Sequence, residues 1–159
     1  AGLVALVPAV CDAVNVPVIA TGGIADSRGI SAALMLGASA VQIGTGFLRT
    51  PEASIAPAWS EAIKKTRPED TIITTSFSGK PGRAIENQYT LAAHDVSNPA
   101  PAPYPIQRSL TKEMRERATK SNNIDYMQAW AGQAAALAQS KTAQELVTQI
   151  WAEAQELFV

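Results

Sequence analysis

The chain has 159 residues, a length typical of one globular domain. Hydrophobic residues make up 47% and charged residues 17%, a composition that excludes an intrinsically disordered chain. The net charge of −1 gives no sign of a nucleic-acid or membrane-surface partner, and no apolar run is long enough to span a bilayer. The first residues lack the basic start of a signal peptide, and the single cysteine, Cys11, rules out an internal disulfide. Together these features favour a cytoplasmic protein.

The first part of the chain alternates between helix and strand patterns. Periodic apolar residues and short β-branched runs predict helix, strand, helix, strand and helix over 2–14, 17–21, 27–36, 39–44 and 52–66. Asp26 or Ser27 can cap the middle helix, and Gly37 ends it. Both strand runs are apolar on both faces, as in a buried parallel sheet or barrel. The pattern predicts an α/β fold with parallel strands.

The pattern changes after residue 70. The run TIITTSFSG, residues 71–79, predicts a strand, and the proline-rich run SNPAPAPYP, residues 97–105, predicts an extended linker. Beyond the linker, helices are predicted over 109–120, 124–139 and 142–157. Thr142 and Glu145 have the spacing of a capping box. Trp130 and Gln133 are three residues apart on the second of these helices and so share one face.

Polar residues of the second part give weaker signals. Two interpretations, the mouth of an active site and a solvated charged turn, are open for Arg83, Glu86 and Asn87 of the run GRAIENQ. The one histidine, His94, lies in a polar stretch and is predicted to be a solvent-exposed loop residue. The Asp, Glu, Cys and His residues are scattered without the spacing of metal ligands, so no metal site is predicted.

Glycines follow both predicted strands of the first part. Gly22 and Gly23 end the first strand, and Gly44 and Thr45 end the second. Glycine at the carboxyl end of a parallel strand lets the backbone approach a ligand, and the free N–H groups of a following helix favour an anion. Two such ends on neighbouring strands predict a phosphate site, as found after the last two strands of many (β/α)₈ barrels. The alternative is that these glycines only form tight turns.

A family resemblance rests on three stretches of the chain. The segment PVIATGGIADSRGISAALMLGASAVQIGTGFL, residues 17–48, resembles the flavin-binding segment of the nitronate monooxygenases, formerly called 2-nitropropane dioxygenases. Flavin-dependent enoyl-acyl-carrier-protein reductases carry a similar segment. PYPIQ, residues 103–107, and WAGQAAALA, residues 130–138, resemble the class I nitronate monooxygenases more narrowly.

The resemblance implies an FMN-binding (β/α)₈ barrel, of which this chain supplies strands 7 and 8 within residues 1–76. It implies a connecting loop and linker over 77–105 and a helical substrate-covering subdomain over 106–159. The implied activity is oxidation of alkyl nitronates, such as propionate 3-nitronate, with O₂ to a carbonyl compound and nitrite. The implied cofactor-binding residues, carried over by position, are Thr21, Gly22, Gly23, Gln42, Ile43, Gly44 and Thr45.

The same resemblance also says what is missing. The family's catalytic histidine belongs to a motif upstream of the position of Ala1, so no catalytic residue is expected in this chain. Tyr104 and Lys112 fall where the family's substrate-domain residues cluster. A closed barrel needs eight strands, so the expected partner is the N-terminal half of the same barrel. An enoyl-acyl-carrier-protein reductase and an inactive half-barrel binding module are the alternatives left open.

Overall fold

The computed structural model describes residues 1–158, which form two compact units. Unit 1 comprises Ala1–Ser54 together with the carboxy-terminal residues from Leu137, and unit 2 comprises Ile55–Ala136. The carboxy-terminal helix therefore belongs, by its contacts, to the unit that holds the first two strands. The division by function into 1–76, 77–105 and 106–159 stays a prediction.

Unit 1 is an α/β layer. Its elements in chain order are α1 (Leu3–Ala13), β1 (Ile19–Thr21), α2 (Ser27–Met35), β2 (Ala40–Gln42) and the carboxy-terminal helix, which is α7 in the numbering of the whole chain (Ala143–Glu156). The strands pair in parallel, as the alternating pattern predicts, with Ile19 opposite Ala40 and Thr21 opposite Gln42. The expectation that both strands are buried on both faces is wrong: Ala20 is buried, but Ile19 is 59% exposed. The reason is that the core of unit 1 covers only one face of this two-stranded sheet.

The core of unit 1 lies between the sheet and its helices. Its buried members are small or branched apolar residues from α1, β1, α2, α7 and the loops on either side of α2, namely Val7, Ala20, Ile24, Ile30, Ala33, Ala38, Leu146, Ile150 and Ala154. Close approach of α2 and α7 is secured by Ser31, whose hydroxyl lies 3.2 Å from the carbonyl oxygen of Ala154 and 3.0 Å from that of Ser27. The carboxy-terminal helix thus anchors the strand pair from more than 100 residues away.

Local signals for the ends of these helices are confirmed. Asp26 caps α2 through its side chain, and Gly37 follows the helix with φ of +100°, a conformation that favours glycine. Thr142 and Glu145 form the predicted capping box at the start of α7.

Unit 2 combines helices with an antiparallel hairpin. Its elements are α3 (Pro57–Lys65), β3 (Thr71–Thr74), β4 (Gly82–Ile85), α4 (Gln88–His94), α5 (Ile106–Leu110) and α6 (Lys112–Lys120). β3 and β4 pair with Thr71 opposite Ile85 and Thr74 opposite Gly82. The predicted strand over 71–79 is therefore too long, since its second half turns back toward β4. Residues 99–103 have no regular secondary structure, as predicted for the linker.

The predicted helix over 124–139 is wrong. This segment contains only short 3₁₀ turns at Ile124–Tyr126 and Ala135–Leu137. Between them the backbone lies beside β4: the Ile85 N–H donates to the Ala129 carbonyl at 2.9 Å, and Trp130 bridges to Ala84. Tertiary pairing overrides the helical preference of the alanines. Trp130 and Gln133 consequently do not share a helix face.

Three further expectations need correction. The helix expected over 52–66 begins only at Pro57, because Ser54 adopts a left-handed conformation with φ of 50°. GRAIENQ is not a solvated turn, since it contains β4 and the cap of α4. His94 is exposed as expected, but it lies on the last turn of α4 rather than in a loop.

No helix within residues 1–158 is long and apolar enough to cross a membrane.

Truncation of Leu146 tests the anchoring of unit 1 by α7. Leu146 is 2% exposed within the core, so we expect Leu146→Ala to lower the free energy of unfolding by about 2–5 kcal/mol. Thr148→Ala, at an exposed position of the same helix, is the control and should change it by less than about 0.5 kcal/mol. Denaturant unfolding measures both. Equal stability of the two variants would show that α7 is not docked on the core.

Candidate phosphate-binding site

The two strands of unit 1 end at the same edge of the sheet. Thr21 is the last residue of β1 and lies opposite Gln42, the last residue of β2. The Thr21 hydroxyl donates a hydrogen bond to the Gln42 carbonyl oxygen at 3.0 Å, which ties the two ends together. Gly22 and Ile43 therefore leave the sheet side by side, and the two glycine-bearing loops begin at the same level.

Two of the glycines are required by the backbone. Gly22 has φ of 106° and Gly23 has φ of 71°, values that side chains with a Cβ rarely adopt. A tight turn by itself accounts for glycine at both positions. These two residues therefore do not decide between a simple turn and a ligand site.

Gly44 separates the two interpretations. Its φ of −100° lies outside the positive range that favours glycine, so the sign of φ does not demand glycine there. A Cβ built on Gly44 meets no atom within 4 Å, so packing does not demand glycine either. A Cβ built on Gly22 or on Gly23 likewise meets no atom within 4 Å. Position 44 therefore leaves room for a group to approach the backbone.

The loops after β1 and β2 are packed together at Gly46. A Cβ at Gly46 would lie 2.7 Å from the Ile43 Cγ2 and 3.3 Å from the Ala25 Cβ, so only glycine fits. Gly46 lies in a short 3₁₀ turn, Thr45–Phe47, that follows Gly44. This contact fixes the two loops relative to each other. The sequence predicted Thr45 as a ligand residue but gave no role to Gly46, because the contact joins residues that are distant along the chain.

The amino terminus of α2 is not free for an anion. Asp26 Oδ1 accepts a hydrogen bond from the Gly29 N–H at 3.1 Å, and Asp26 Oδ2 accepts one from Arg28 Nε at 2.8 Å. Burial by itself raises the pKa of Asp26, but the hydrogen bonds from Arg28 and Gly29 lower it more, and its pKa lies below the ordinary value. The expectation that the helix after the first strand offers free N–H groups is therefore wrong for the N–H that Asp26 occupies.

The other candidate residues lie in unit 2 and are not brought together there. Tyr104 is 47% exposed, and its ring faces Lys80, whose Nζ is 4.5 Å from the ring centroid. Lys112 instead lies on α6 and pairs with Glu116 at 3.9 Å. The structure records no contact between Tyr104 and Lys112 among the described residues. Their assignment to a substrate site stays a prediction.

The charged run of unit 2 has structural roles. Arg83 Nη1 donates to the Thr71 hydroxyl at 2.9 Å across the hairpin. Asn87 caps α4, and its Nδ2 donates to the carbonyls of Ile124 and Met127. These bonds occupy Arg83 Nη1 and Asn87 Nδ2, whereas Glu86 is exposed. Within residues 1–158, no group of three or more His, Cys, Asp or Glu residues is placed to hold a metal ion.

Comparison with known proteins identifies the family. The family model for nitronate monooxygenase matches residues 1–153. The probable nitronate monooxygenase of Staphylococcus saprophyticus is 36% identical over 156 residues, which are 98% of this chain and 44% of that protein. The corresponding protein of Bacillus subtilis is 46% identical over 132 residues, which are 83% of this chain and 38% of that protein.

Two solved structures share the fold of this chain. A nitroalkane oxidase from Streptomyces ansochromogenes superimposes with a TM-score of 0.87 at 36% identity, covering 99% of this chain and 46% of that one. FabK from Thermotoga maritima superimposes with a TM-score of 0.82 at 32% identity, covering 98% of this chain and 50% of that one. The chain belongs to the nitronate monooxygenase family and spans about half the length of the relatives it matches.

The charge of Asp26 can be tested by its pH dependence. Asp26→Asn keeps an oxygen for the cap but loses the ion pair with Arg28, so we expect the free energy of unfolding at pH 7 to fall by about 0.5–1 kcal/mol. The pKa of Asp26 in the folded protein lies below its ordinary value of 3.8. The wild type should therefore exceed Asp26→Asn in free energy of unfolding by the full amount well above pH 3.8. This difference should disappear as the pH falls through the lowered pKa.

Denaturant unfolding of both proteins between neutral and strongly acidic pH measures this difference. Asp12→Asn, at an exposed position of α1, is the matched control and should follow the wild type at every pH. A deficit of Asp26→Asn that stays constant down to the most acidic pH would show that the ionised carboxylate contributes nothing to the cap.

Proposed function

We propose that the protein is an FMN-dependent nitronate monooxygenase in which the FMN phosphate lies beside Gly22, Gly23 and Gly44. The observation that carries the proposal is the open space at Gly44, a glycine that neither the sign of φ nor packing requires. Family membership agrees with it, since the match covers residues 1–153. Thr21, Gln42, Ile43 and Thr45 complete the proposed set around this edge of the strands.

The residues at the edge fit a phosphate group. Glycines without side-chain neighbours let an anion reach the backbone, and the Thr45 hydroxyl is a further hydrogen-bond donor. The Asp26 carboxylate would repel a phosphate, but its ion pair with Arg28 offsets its charge. Because Asp26 already occupies the Gly29 N–H of α2, that donor does not serve the phosphate, and the loops are proposed to supply donors.

The chain contributes binding and orientation to the reaction. FMN, when bound, supplies the redox chemistry by which an alkyl nitronate and O₂ give a carbonyl compound and nitrite. The glycine loops hold the phosphate end and so fix the position of the flavin ring. Residues 106–159 are proposed to cover the substrate and exclude bulk water from it. The base is proposed to be a histidine in the part of the family protein that this chain does not span.

The remaining half of the barrel is the proposed partner of unit 1. An apolar groove of about 500 Å³ borders β2 and is lined by side chains of β2, α2 and α7. Trp151, on this groove, is 47% exposed. A strand at the edge of a sheet, flanked by apolar helices, favours addition of a further strand and helix. In this proposal β1 and β2 are strands 7 and 8 of an eight-stranded barrel.

Gly44→Ala tests the phosphate site without straining the protein. Since a Cβ at Gly44 meets no atom and the φ value is ordinary, the free energy of unfolding without cofactor should change by less than about 0.5 kcal/mol. The methyl group would occupy space meant for the phosphate, so we expect FMN to bind at least about tenfold more weakly, a loss of about 1.4 kcal/mol. Fluorescence titration with FMN measures the affinity.

Two further variants complete the experiment. Gly2→Ala also adds a methyl group in open space at an ordinary φ, but far from the strand ends along the chain, and should leave FMN affinity unchanged. Gly23→Val adds both strain and bulk, and should release FMN during gel filtration. Wild-type FMN affinity in Gly44→Ala would remove Gly44 from the cofactor site.

The activity itself is tested with the complete family-length protein. We expect nitrite release and O₂ uptake with propionate 3-nitronate, and we expect NADPH to leave the flavin oxidised. Rapid reduction of the flavin by NADPH would instead favour an enoyl-acyl-carrier-protein reductase. A folded, monodisperse chain that binds no flavin would favour the third alternative, a binding module without activity.

A further inference from the structure

The loop after β2 continues as a run of tight turns, residues 44–53, which form the turn segment. The Phe47 N–H donates to the Gly44 carbonyl at 3.0 Å, and the Thr50 N–H donates to the Phe47 carbonyl at 3.1 Å. The Thr50 hydroxyl donates to the same carbonyl at 2.9 Å, and the Ala53 N–H donates to the Thr50 carbonyl at 3.1 Å. Each bond reaches back three residues, so a restraint at the end of the turn segment limits the freedom of Gly44.

The far end of the turn segment is joined to the residues at the start of α7. Glu52 Oε1 accepts a hydrogen bond from the Ala143 N–H at 2.8 Å, and Arg49 Nη1 donates one to the Ala138 carbonyl at 3.0 Å. The partners are 91 and 89 residues apart along the chain, yet all four belong to unit 1. Because α7 is docked on the core of unit 1, these two bonds restrain the turn segment at the end opposite to Gly44.

Glu52 caps α7 from outside the helix. The first N–H groups of a helix have no partner within it, and the capping box of Thr142 and Glu145 satisfies only some of them. Hydrogen bonds from its own N–H and from the Ala143 N–H lower the pKa of Glu52 from its ordinary value of 4.5, against repulsion by Glu145. The carboxylate is therefore ionised at neutral pH, and an ionised acceptor makes a stronger hydrogen bond than a neutral one.

We infer that Glu52 is a positioning residue that holds the turn segment, and with it Gly44, in the conformation that receives the cofactor phosphate. The inference rests on the proposed function and adds to it a residue outside the proposed ligand set. Glu52 is not itself a phosphate ligand, since a carboxylate repels an anion. The sequence alone assigned it no role, because its partner Ala143 lies in a distant part of the chain.

Charge and positioning predict opposite effects of removing the Glu52 side chain. On charge alone, loss of a carboxylate favours the binding of an anion such as the FMN phosphate. Loss of the bond to α7 instead leaves the turn segment less ordered, and a loop that has to be ordered on binding lowers the affinity. The direction in which FMN affinity changes therefore decides between the two roles.

Glu52→Ala in the complete family-length protein tests the inference. We expect FMN to bind about fivefold more weakly in a fluorescence titration, an effect of the size that a lost helix cap produces. Without FMN, the Phe47 and Thr50 amides should exchange hydrogen about fivefold faster, because these amides make the bonds of the turn segment. Glu52→Gln keeps an acceptor oxygen and should remain within about twofold of the wild type in both measurements.

Thr142→Ala is the matched control, because it removes a different cap from the same end of α7. It should lower the Tm but leave FMN affinity and amide exchange in the turn segment within about twofold of the wild type. Equal losses of FMN affinity in Thr142→Ala and Glu52→Ala would overturn the inference, since the stability of α7 would then explain both. Wild-type affinity in Glu52→Ala would overturn it as well.

Amide exchange separates this inference from the proposed function. A wild-type protein that binds no FMN would overturn the proposed function. Faster exchange at Phe47 and Thr50 in Glu52→Ala than in Thr142→Ala would still support the positioning of the turn segment by Glu52. Equal exchange in the two variants would overturn the inference, whether or not FMN binds.

Discussion

The parallel register that sets Thr21 opposite Gln42 is the constraint on which the candidate phosphate site depends. A slip by one residue would move every side chain to the other face, exposing Ala20 and burying its neighbours. The Thr21 hydroxyl reinforces the register by donating to the Gln42 carbonyl across the strand ends. The contact of Gly46 with Ala25 and Ile43 then carries this alignment into the loops. The shape of the open space beside Gly22, Gly23 and Gly44 depends on both the strand register and the contact at Gly46.

The strand pair in turn depends on α7, the helix near the carboxy terminus. Leu146 and Ile150 of α7 complete the core against α2, although the residues of unit 2 separate α7 from α2 along the chain. Because the strands have only three residues each, their own hydrogen bonds could not hold them in water. The site is thus a property of residues 1–54 and the carboxy-terminal helix together, although every proposed ligand residue lies in the first 45 residues. A boundary drawn from the ligand residues alone would omit the helix that supports them.

Much of the local structure could be predicted from sequence, and the largest failure has a tertiary cause. The ends of α2 and α7 depend on nearby residues such as Asp26, Gly37 and Thr142, so their signals are local and reliable. The helix expected over 124–139 is wrong because Ala129 and Trp130 pair with β4, which local propensity cannot report. Glycines at the strand ends were visible in the sequence. Only the sign of φ separates Gly44 from Gly22 and Gly23, since an added Cβ would meet no atom within 4 Å at any of the three positions.

Both units bury apolar side chains, and unit 2 also buries a set of polar side chains that hydrogen-bond to its loops. Unit 1 has a core of small apolar side chains, whose packing resists compression but imposes little directional order. Unit 2 buries a set of hydrogen-bonding side chains, among them Asn87, Thr90, Gln107 and Thr111. A satisfied buried polar network adds modest net stability per bond, yet it fixes directions closely, since any misplacement leaves a polar atom unpaired. A cofactor phosphate needs only space and backbone donors at a rigid edge. The network around Ser76 and Phe77 therefore holds the loop between β3 and β4 of unit 2 in one conformation.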